Sequence, residues 1–320
     1  MKDRSKKIVL HGQNGDYIFY PNATRSYLRK VSKFSRVFKG ESSEGSAVVI
    51  KLLPAEMARD RLDVEHFKKE IDWYGIHPNL LAPFEYIYQD ERHYLIAEFV
   101  QNVDLGYYIR YRRLMKKKRI RLALECGLQL LDAVEAMHSR GFIHADIKPA
   151  NVLFLSNRAR IPYYKEPQFQ LIDFGMARKA GENPPLASGR SKRPFVLSYS
   201  PPEQVLGFND LIGFHSDLYN IALLIYEMVI KEPVYQSNIS VKLMNLQTSF
   251  PLTIKKVIPK ELMDILLKAA AKYRFKKPPN HYSRNEVYHR LKLGIEQRYS
   301  SAAEFREALL RFKSNYFRAY

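Results

Sequence analysis

A chain of 320 residues with 46% hydrophobic content can bury a large core, suggests about two domains or lobes, and is too apolar to be wholly disordered. Its formal charge of +19 invites an anionic partner, whether nucleic acid, acidic lipid or acidic protein. No run approaches the roughly eighteen apolar residues of a membrane span, the Met1-Lys2-Asp3-Arg4 start lacks a signal-peptide core, and the lone Cys126 cannot close an internal disulfide, so a soluble, cytoplasmic or otherwise intracellular chain is expected.

Ile8-Val9-Leu10 and Tyr17-Ile18-Phe19-Tyr20 flank Asn14-Gly15, a strong hairpin signal, so residues 1–26 read as an N-terminal extension carrying a small ribbon. Apolar and β-branched residues dominate Tyr27 to Phe38 and Ala47 to Leu53, separated by a turn-like Gly40 to Gly45, which predicts strands; Lys51 ends the run Val48-Val49-Ile50-Lys51. Phe67, Ile71 and Tyr74 recur at helical intervals over Val64 to Tyr74, with Glu70 on the adjoining face. Phe84 to Tyr88 and His93 to Ala97 form a hairpin across Asp90-Glu91-Arg92, and Glu98-Phe99-Val100 follows.

The densest basic patch comes next, over 110–121, with Arg112, Arg113, Lys116, Lys117, Lys118, Arg119 and Arg121; it reads either as a solvated surface or linker or as a site for an acidic partner or nucleic acid. Leu124, Leu128, Leu131, Val134 and Met137 repeat at three and four, predicting a helix from about Leu122 to His138. Phe142 to Leu153 then sets Asp146, Lys148 and Asn151 at short intervals between two apolar runs, and Asp173-Phe174-Gly175 follows Gln170-Leu171-Ile172. A Pro-, Gly- and Ser-rich stretch without periodicity runs on to Ser200-Pro201-Pro202-Glu203, long enough to be a functional loop.

Ser216-Asp217 opens an apolar helix, where Asp217 is either a helix-start aspartate or a longer-range anchor. A second basic stretch, 272–292, mixes Lys and Arg with Tyr273, Phe275, Tyr282 and Tyr288, which suits base stacking or an ordinary packed insertion. Ser301-Ala302-Ala303-Glu304 reads as a capping box opening the last helix.

The middle of the chain carries the chemistry of phosphoryl transfer, which reduces to aligning a nucleophile and neutralising charge on phosphate oxygens. Asp146 has the acceptor for a hydroxyl proton, Lys148 a cation for the transferred phosphate, and Asn151 and Asp173 the hard oxygens that suit magnesium.

These motifs, in this order, resemble the protein kinase family, Ser/Thr-like, over about Tyr27 to Phe312. The resemblance implies an α+β bilobal fold, with a β-rich N-lobe over 27–100 carrying one control helix and a larger, mainly helical C-lobe over 101–320. It implies ATP and Mg2+ as cofactors and transfer of the γ-phosphoryl group to Ser or Thr of a protein substrate. Asp146, Lys148, Asn151 and Asp173 take the catalytic places, with Asn151 and Asp173 as metal ligands. Lys51 pairs with Glu70 and reaches the first phosphates, while Val37, the gatekeeper Ala97, the hinge residues Glu98 and Val100, and Asp104 at the ribose complete the nucleotide site. Asp146, Asn151, Asp173 and Lys51 are thus expected to converge on one nucleotide in a cleft between the lobes. Asp217 would hold the catalytic loop from beneath, and Glu203 would be held by Arg298.

Departures from the pattern are as informative. The family's G-x-G-x-x-G-x-V loop falls on Lys30-Val31-Ser32-Lys33-Phe34-Ser35-Arg36-Val37, with no glycine in any of its three glycine places. Ala145 stands where an arginine usually precedes the catalytic aspartate and docks a phosphorylated loop (a non-RD arrangement), and Val196 replaces a common threonine. The glycine-free loop keeps a pseudokinase scaffold for an acidic partner open as an alternative, beside a kinase of small molecules.

Overall fold

The computed structural model describes residues 7–22, 36–100, 103–111, 113–155, 167–182 and 198–318. Its contacts sort these into two units, one holding the described residues up to 100 together with 172–175, the other holding the rest.

The first unit is built on a six-stranded antiparallel sheet of β1 (Ile8–Gly12), β2 (Gly15–Phe19), β3 (Arg36–Ser42), β4 (Ala47–Leu52), β5 (Glu85–Gln89) and β6 (Arg92–Glu98), in the order β1-β2-β3-β4-β6-β5. Period-two alternation divides β4 between two faces. Val48, Ile50 and Leu52 join Phe38, Ile87, Tyr94 and Ile96 in one core, which Leu10, Tyr17 and Phe19 of the N-terminal hairpin complete. Lys51 therefore points to the opposite face, in register with Val37 on β3 and Leu95 on β6. There Leu95 packs with Leu53, Met57 and Phe67, under the short helix α1 (Ala55–Ala58) and α2 (Arg61–Lys68).

The hairpin is therefore part of the sheet, since Tyr17 and Ile18 pair with Ser42 and Glu41, and its turn sits on Gln13-Asn14 with Gly15 at φ +123°. Glu85, 5% exposed, anchors that turn from β5. Its carboxylate accepts from the Tyr17 hydroxyl at 2.6 Å, from the Asn14 backbone and side chain at 3.3 and 3.2 Å, and from the Gln13 N–H. Gln89 adds bonds to Val9 and His11, so side chains of β5 hold β1 although the two strands lie at opposite ends of the strand order.

Two helix boundaries differ from expectation. The helix expected over Val64 to Tyr74 begins earlier, where Asp60 caps α2 by accepting from Leu62 N–H, and it tightens into a 3₁₀ segment over Lys69–Trp73 before Gly75 turns the chain at φ +70°. Glu70 lies in that 3₁₀ segment. The helix expected from Leu122 begins at Lys116, because its first turns are Lys and Arg, which favour helix but give no apolar signal.

In the second unit, α4 (Lys116–His138) and α6 (Phe214–Ile230) form the central pair. α6 is buried on almost every side, as its nearly continuous apolar sequence requires. Gly127 brings α4 close to it, since a Cβ there would lie 2.4 Å from Ile225 Cδ1. Around the pair lie α3 (Leu105–Tyr111), α5 (Pro202–Val205), α7 (Ser240–Ser249), α8 (Lys260–Ala269), α9 (Arg284–Ile295) and α10 (Ala302–Arg318). Small ladders of β7 (Val103–Asp104), β9 (Val152–Leu155) and β10 (Gln168–Leu171), and of β8 (Phe142–Ile143) with β11 (Arg178–Lys179), complete the unit.

The aromatic part of the 272–292 stretch takes part in packing. Phe275, Val287 and Leu291 form a cluster with Phe208, and Tyr273, Tyr282 and Tyr288 pack against it, while Arg284 and Arg290 lie over Phe208 and Tyr282 at 4.4 and 4.2 Å. The other patch is helical surface in part, with Arg110, Arg113, Lys116, Lys117, Lys118 and Arg121 exposed on and around α3 and α4.

Candidate active site

In the first unit, Lys51 donates to both oxygens of Glu70 at 2.7 and 2.8 Å and to Asp173 Oδ1 at 2.9 Å. The site follows from three local facts: the strand alternation that turns Lys51 off the core face, the helix that brings Glu70 over that face, and the Asp173 turn. Burial opposes the Lys51 charge, but the Asp173 and Glu70 carboxylates outweigh it and hold the ammonium above its ordinary value. Phe174 is buried and stacks on Trp73 of the 3₁₀ segment, with centroids 6.1 Å apart, fixing the residue after Asp173. Asp173 itself has φ +68°, an uncommon left-handed conformation for a residue other than glycine.

In the second unit, Asp146 Oδ2 accepts from Lys148 Nζ at 2.6 Å and from Asn151 Nδ2 at 2.9 Å. The same Asn151 nitrogen also donates to the Asp146 carbonyl at 2.9 Å, closing the loop on itself and leaving the Asn151 carbonyl oxygen as the amide atom suited to a cation. The residue before Asp146 is strained as well, with Ala145 at φ +61°. Beneath it, the buried Asp217 accepts from the N–H groups of His144 and Ala145, each at 2.9 Å, and lies 3.0 Å from His138 Nε2. Asp217 is thus an anchor of the loop, and burial, which would raise its pKa, loses to His138 and His144, which lower it.

The remaining expected residues sort less evenly. Val37 is half-buried beside Lys51; Ala97 and Glu98 end β6, paired with Val49 and Val48, and Val100 follows. Asp104 Oδ1 accepts from Tyr107 N–H at 2.9 Å, which makes it the cap of α3. Lys30 to Ser35, Ser188, Ser191 and Val196 lie outside the described residues.

Glu203, fully buried, takes a two-pronged bond from Arg298 at 2.8 and 3.1 Å, and a third bond from Ser216 Oγ at 2.8 Å. The stretch before it is held by α6: Asn220 donates to the Tyr199 carbonyl at 2.6 Å, and the Tyr199 hydroxyl donates to Glu227 Oε2 at 2.7 Å. Sequence reading missed His138, Tyr199 and Glu227, each of which sits in an apolar helix or a loop with no local signal.

Burial raises the Glu227 carboxyl to about 7, against the opposing pull of the Tyr199 bond. A folded-state pKa above the unfolded value means that Glu227 stabilises the fold fully below the unfolded pKa of about 4.5, and that this contribution is lost as pH rises towards 7. Denaturant titrations across that range should show wild type losing on the order of 3 kcal/mol relative to Glu227→Gln. Parallel pH profiles for the two proteins would contradict the assignment.

A model of the protein kinase domain matches residues 32–293, most of the chain. The chain belongs to the protein kinase family. Among curated kinases, it is 26% identical to the probable serine/threonine-protein kinase PknB of Lactococcus lactis over 247 residues, covering 74% of this chain and 37% of that protein. It is 28% identical to Aurora kinase B of Mus musculus over 210 residues, covering 64% of this chain and 55% of that protein. The chain spans about a third of three bacterial relatives, at 37%, 34% and 32% of their lengths. The kinase fold is seen again in the PknI kinase domain of Mycobacterium tuberculosis, with TM-score 0.58 at 18% identity over 92% of this chain and 98% of that one. In the kinase fold the antiparallel sheet with its helix is the N-terminal part, and the helices around α4 and α6 are the C-terminal part. Membership of the protein kinase family implies the use of ATP. Among the described residues, no helix is long and apolar enough to cross a membrane.

Proposed function

We propose that this chain is an active ATP- and magnesium-dependent kinase that transfers the γ-phosphoryl group to Ser or Thr hydroxyls of a protein substrate. The observation that carries this reading is that the groups used in transfer are all retained and already paired, Lys51 with Glu70 and Asp173, and Asp146 with Lys148 and Asn151. A pure scaffold has no need to keep them. Asp146 orients the hydroxyl and takes its proton, Lys148 steadies the Asp146 carboxylate and meets the transferred phosphate, and Lys51, gripped by Glu70, binds the other phosphates. Asn151 and Asp173 offer the hard oxygens that magnesium prefers, and magnesium when bound would neutralise phosphate charge. Val37, Ala97, Glu98, Val100 and Asp104 are assigned to the nucleotide, with the small Ala97 leaving room behind the adenine. Residues 27–100 are assigned as the N-lobe, 101–320 as the C-lobe, and 1–26 as an extension joined to the N-lobe sheet by its hairpin.

Purified chain incubated with labelled ATP, magnesium and generic basic and acidic proteins should give phosphoserine or phosphothreonine. Label on small molecules alone, or no label and no nucleotide binding, would replace this reading with the small-molecule kinase or the scaffold. The glycine-free stretch over Lys30 to Val37 is the one feature of the sequence that favours a scaffold.

With Ala145 in place of the arginine, activity should not depend on phosphorylation of the loop before Glu203. The Ser188→Ala, Ser191→Ala, Ser198→Ala triple variant is expected to keep wild-type turnover; loss of turnover in a folded triple variant would show a phosphate requirement. The exposed cations of 110–121 are assigned to an acidic partner or nucleic acid, with binding that weakens as salt rises.

A further inference from the structure

The peptide that joins Ala145 to Asp146 is held at both of its polar atoms. Its N–H, on Asp146, lies 3.3 Å from His144 Nδ1, and its carbonyl, on Ala145, accepts from Gln204 Nε2 at 3.2 Å. The peptide before it is held too, by Asp217 on the Ala145 N–H. Ala145 meanwhile adopts φ +61°, which costs an alanine roughly 1–2 kcal/mol and persists only where neighbours over-determine it. Asp217 is one such neighbour and Gln204 is another.

Gln204 is itself rigidly placed. It is 8% exposed, it follows Glu203 in α5, and Glu203 is locked by Arg298 and Ser216. A continuous run of buried contacts therefore leads from Arg298 through Glu203 and Gln204 to the backbone of Asp146. The Gln204 amide supplies to the loop a neutral, permanent tether that needs no phosphate. We infer that Gln204 is a positioning residue, which sets the orientation of Asp146 by holding the Ala145 carbonyl and so couples the Pro-Glu end of the loop to the catalytic aspartate. This inference rests on the phosphotransfer reading for its consequence, but not for the clamp itself.

Gln204→Met keeps the length of the side chain and removes the donor. It should lower kcat about tenfold, the worth of one lost buried hydrogen bond, while KM for ATP stays within about twofold. Amide exchange in the peptide covering Ile143 to Ile147 should quicken by about tenfold, with α10 unchanged. Gln204→Glu supplies a donor only when protonated, so its transfer relative to wild type should rise as pH falls from about 8 to 6. Wild-type kcat in Gln204→Met, or faster exchange without loss of transfer, or exchange accelerated throughout the protein, would each overturn the assignment. If wild type transfers no phosphate, the kinase reading falls, and local exchange in Gln204→Met still decides whether the clamp exists.

Discussion

Lys51→Met is expected to lower phosphoryl transfer by about 10²- to 10³-fold, the usual consequence of removing one charged group aimed at developing negative charge. A second effect comes from the partners left behind. Glu70 is 3% exposed and Lys51 donates to both of its oxygens, so the methionine variant takes the ammonium away from a buried carboxylate that shares it with Asp173. Breaking a buried pair from one side destabilises by about 3–5 kcal/mol, and an inactive Lys51→Met protein could be inactive because it is loosened. The double variant Lys51→Met, Glu70→Gln separates the two effects. It removes the buried negative charge that has lost its ammonium, so melting temperature should recover most of its loss while transfer stays at the single-variant level. Recovery of transfer along with stability would show that Lys51 acts only as a brace.

Arg298→Ala should be the most destabilising single change in the second unit. Glu203 is fully buried and Arg298 is 6% exposed, so removal takes away its cationic partner and leaves the Ser216 hydroxyl and the more distant His215 beside it. The expected loss is again about 3–5 kcal/mol, or roughly 5–15 °C in Tm. Burial alone would raise the Glu203 pKa, yet Arg298 holds it below the ordinary value. A depressed folded-state pKa contributes stability above the unfolded value near 4.5, and that stability is lost as pH falls through the folded one. The Arg298→Ala defect should therefore be largest near neutral pH and shrink as the solution is acidified. Thermal melts at pH 7 and pH 4 (about) check this, and a defect equal at both would contradict it.

Local patterns carried much of this site. Period-two alternation in Val48-Val49-Ile50-Lys51 is enough to turn Lys51 away from the core, and helical spacing is enough to place Glu70, even though its turn proves to be 3₁₀. Asn151 reaches back only five residues to Asp146, so that contact is written in the spacing. Contacts between distant segments leave no such trace. Gln204 meets Ala145 across 59 positions, and His138 meets Asp217 across 79. The N-terminal hairpin is legible from Asn14-Gly15 between two apolar runs, but its docking depends on Glu85, some seventy residues away, whose burial no local pattern announces. Aromatics among cations over 272–292 look the same in sequence whether they stack on a ligand or on one another, and only the fold shows that they take part in packing.

The most direct test compares wild type with Asp146→Asn in single-turnover transfer from labelled ATP and magnesium to a protein substrate, with nucleotide binding followed by thermal shift. Asparagine keeps an oxygen to accept from Lys148 and Asn151 but cannot take the hydroxyl proton. The expected result is unchanged nucleotide binding with transfer reduced roughly a hundred- to ten-thousand-fold. Transfer at the wild-type rate in Asp146→Asn would contradict it.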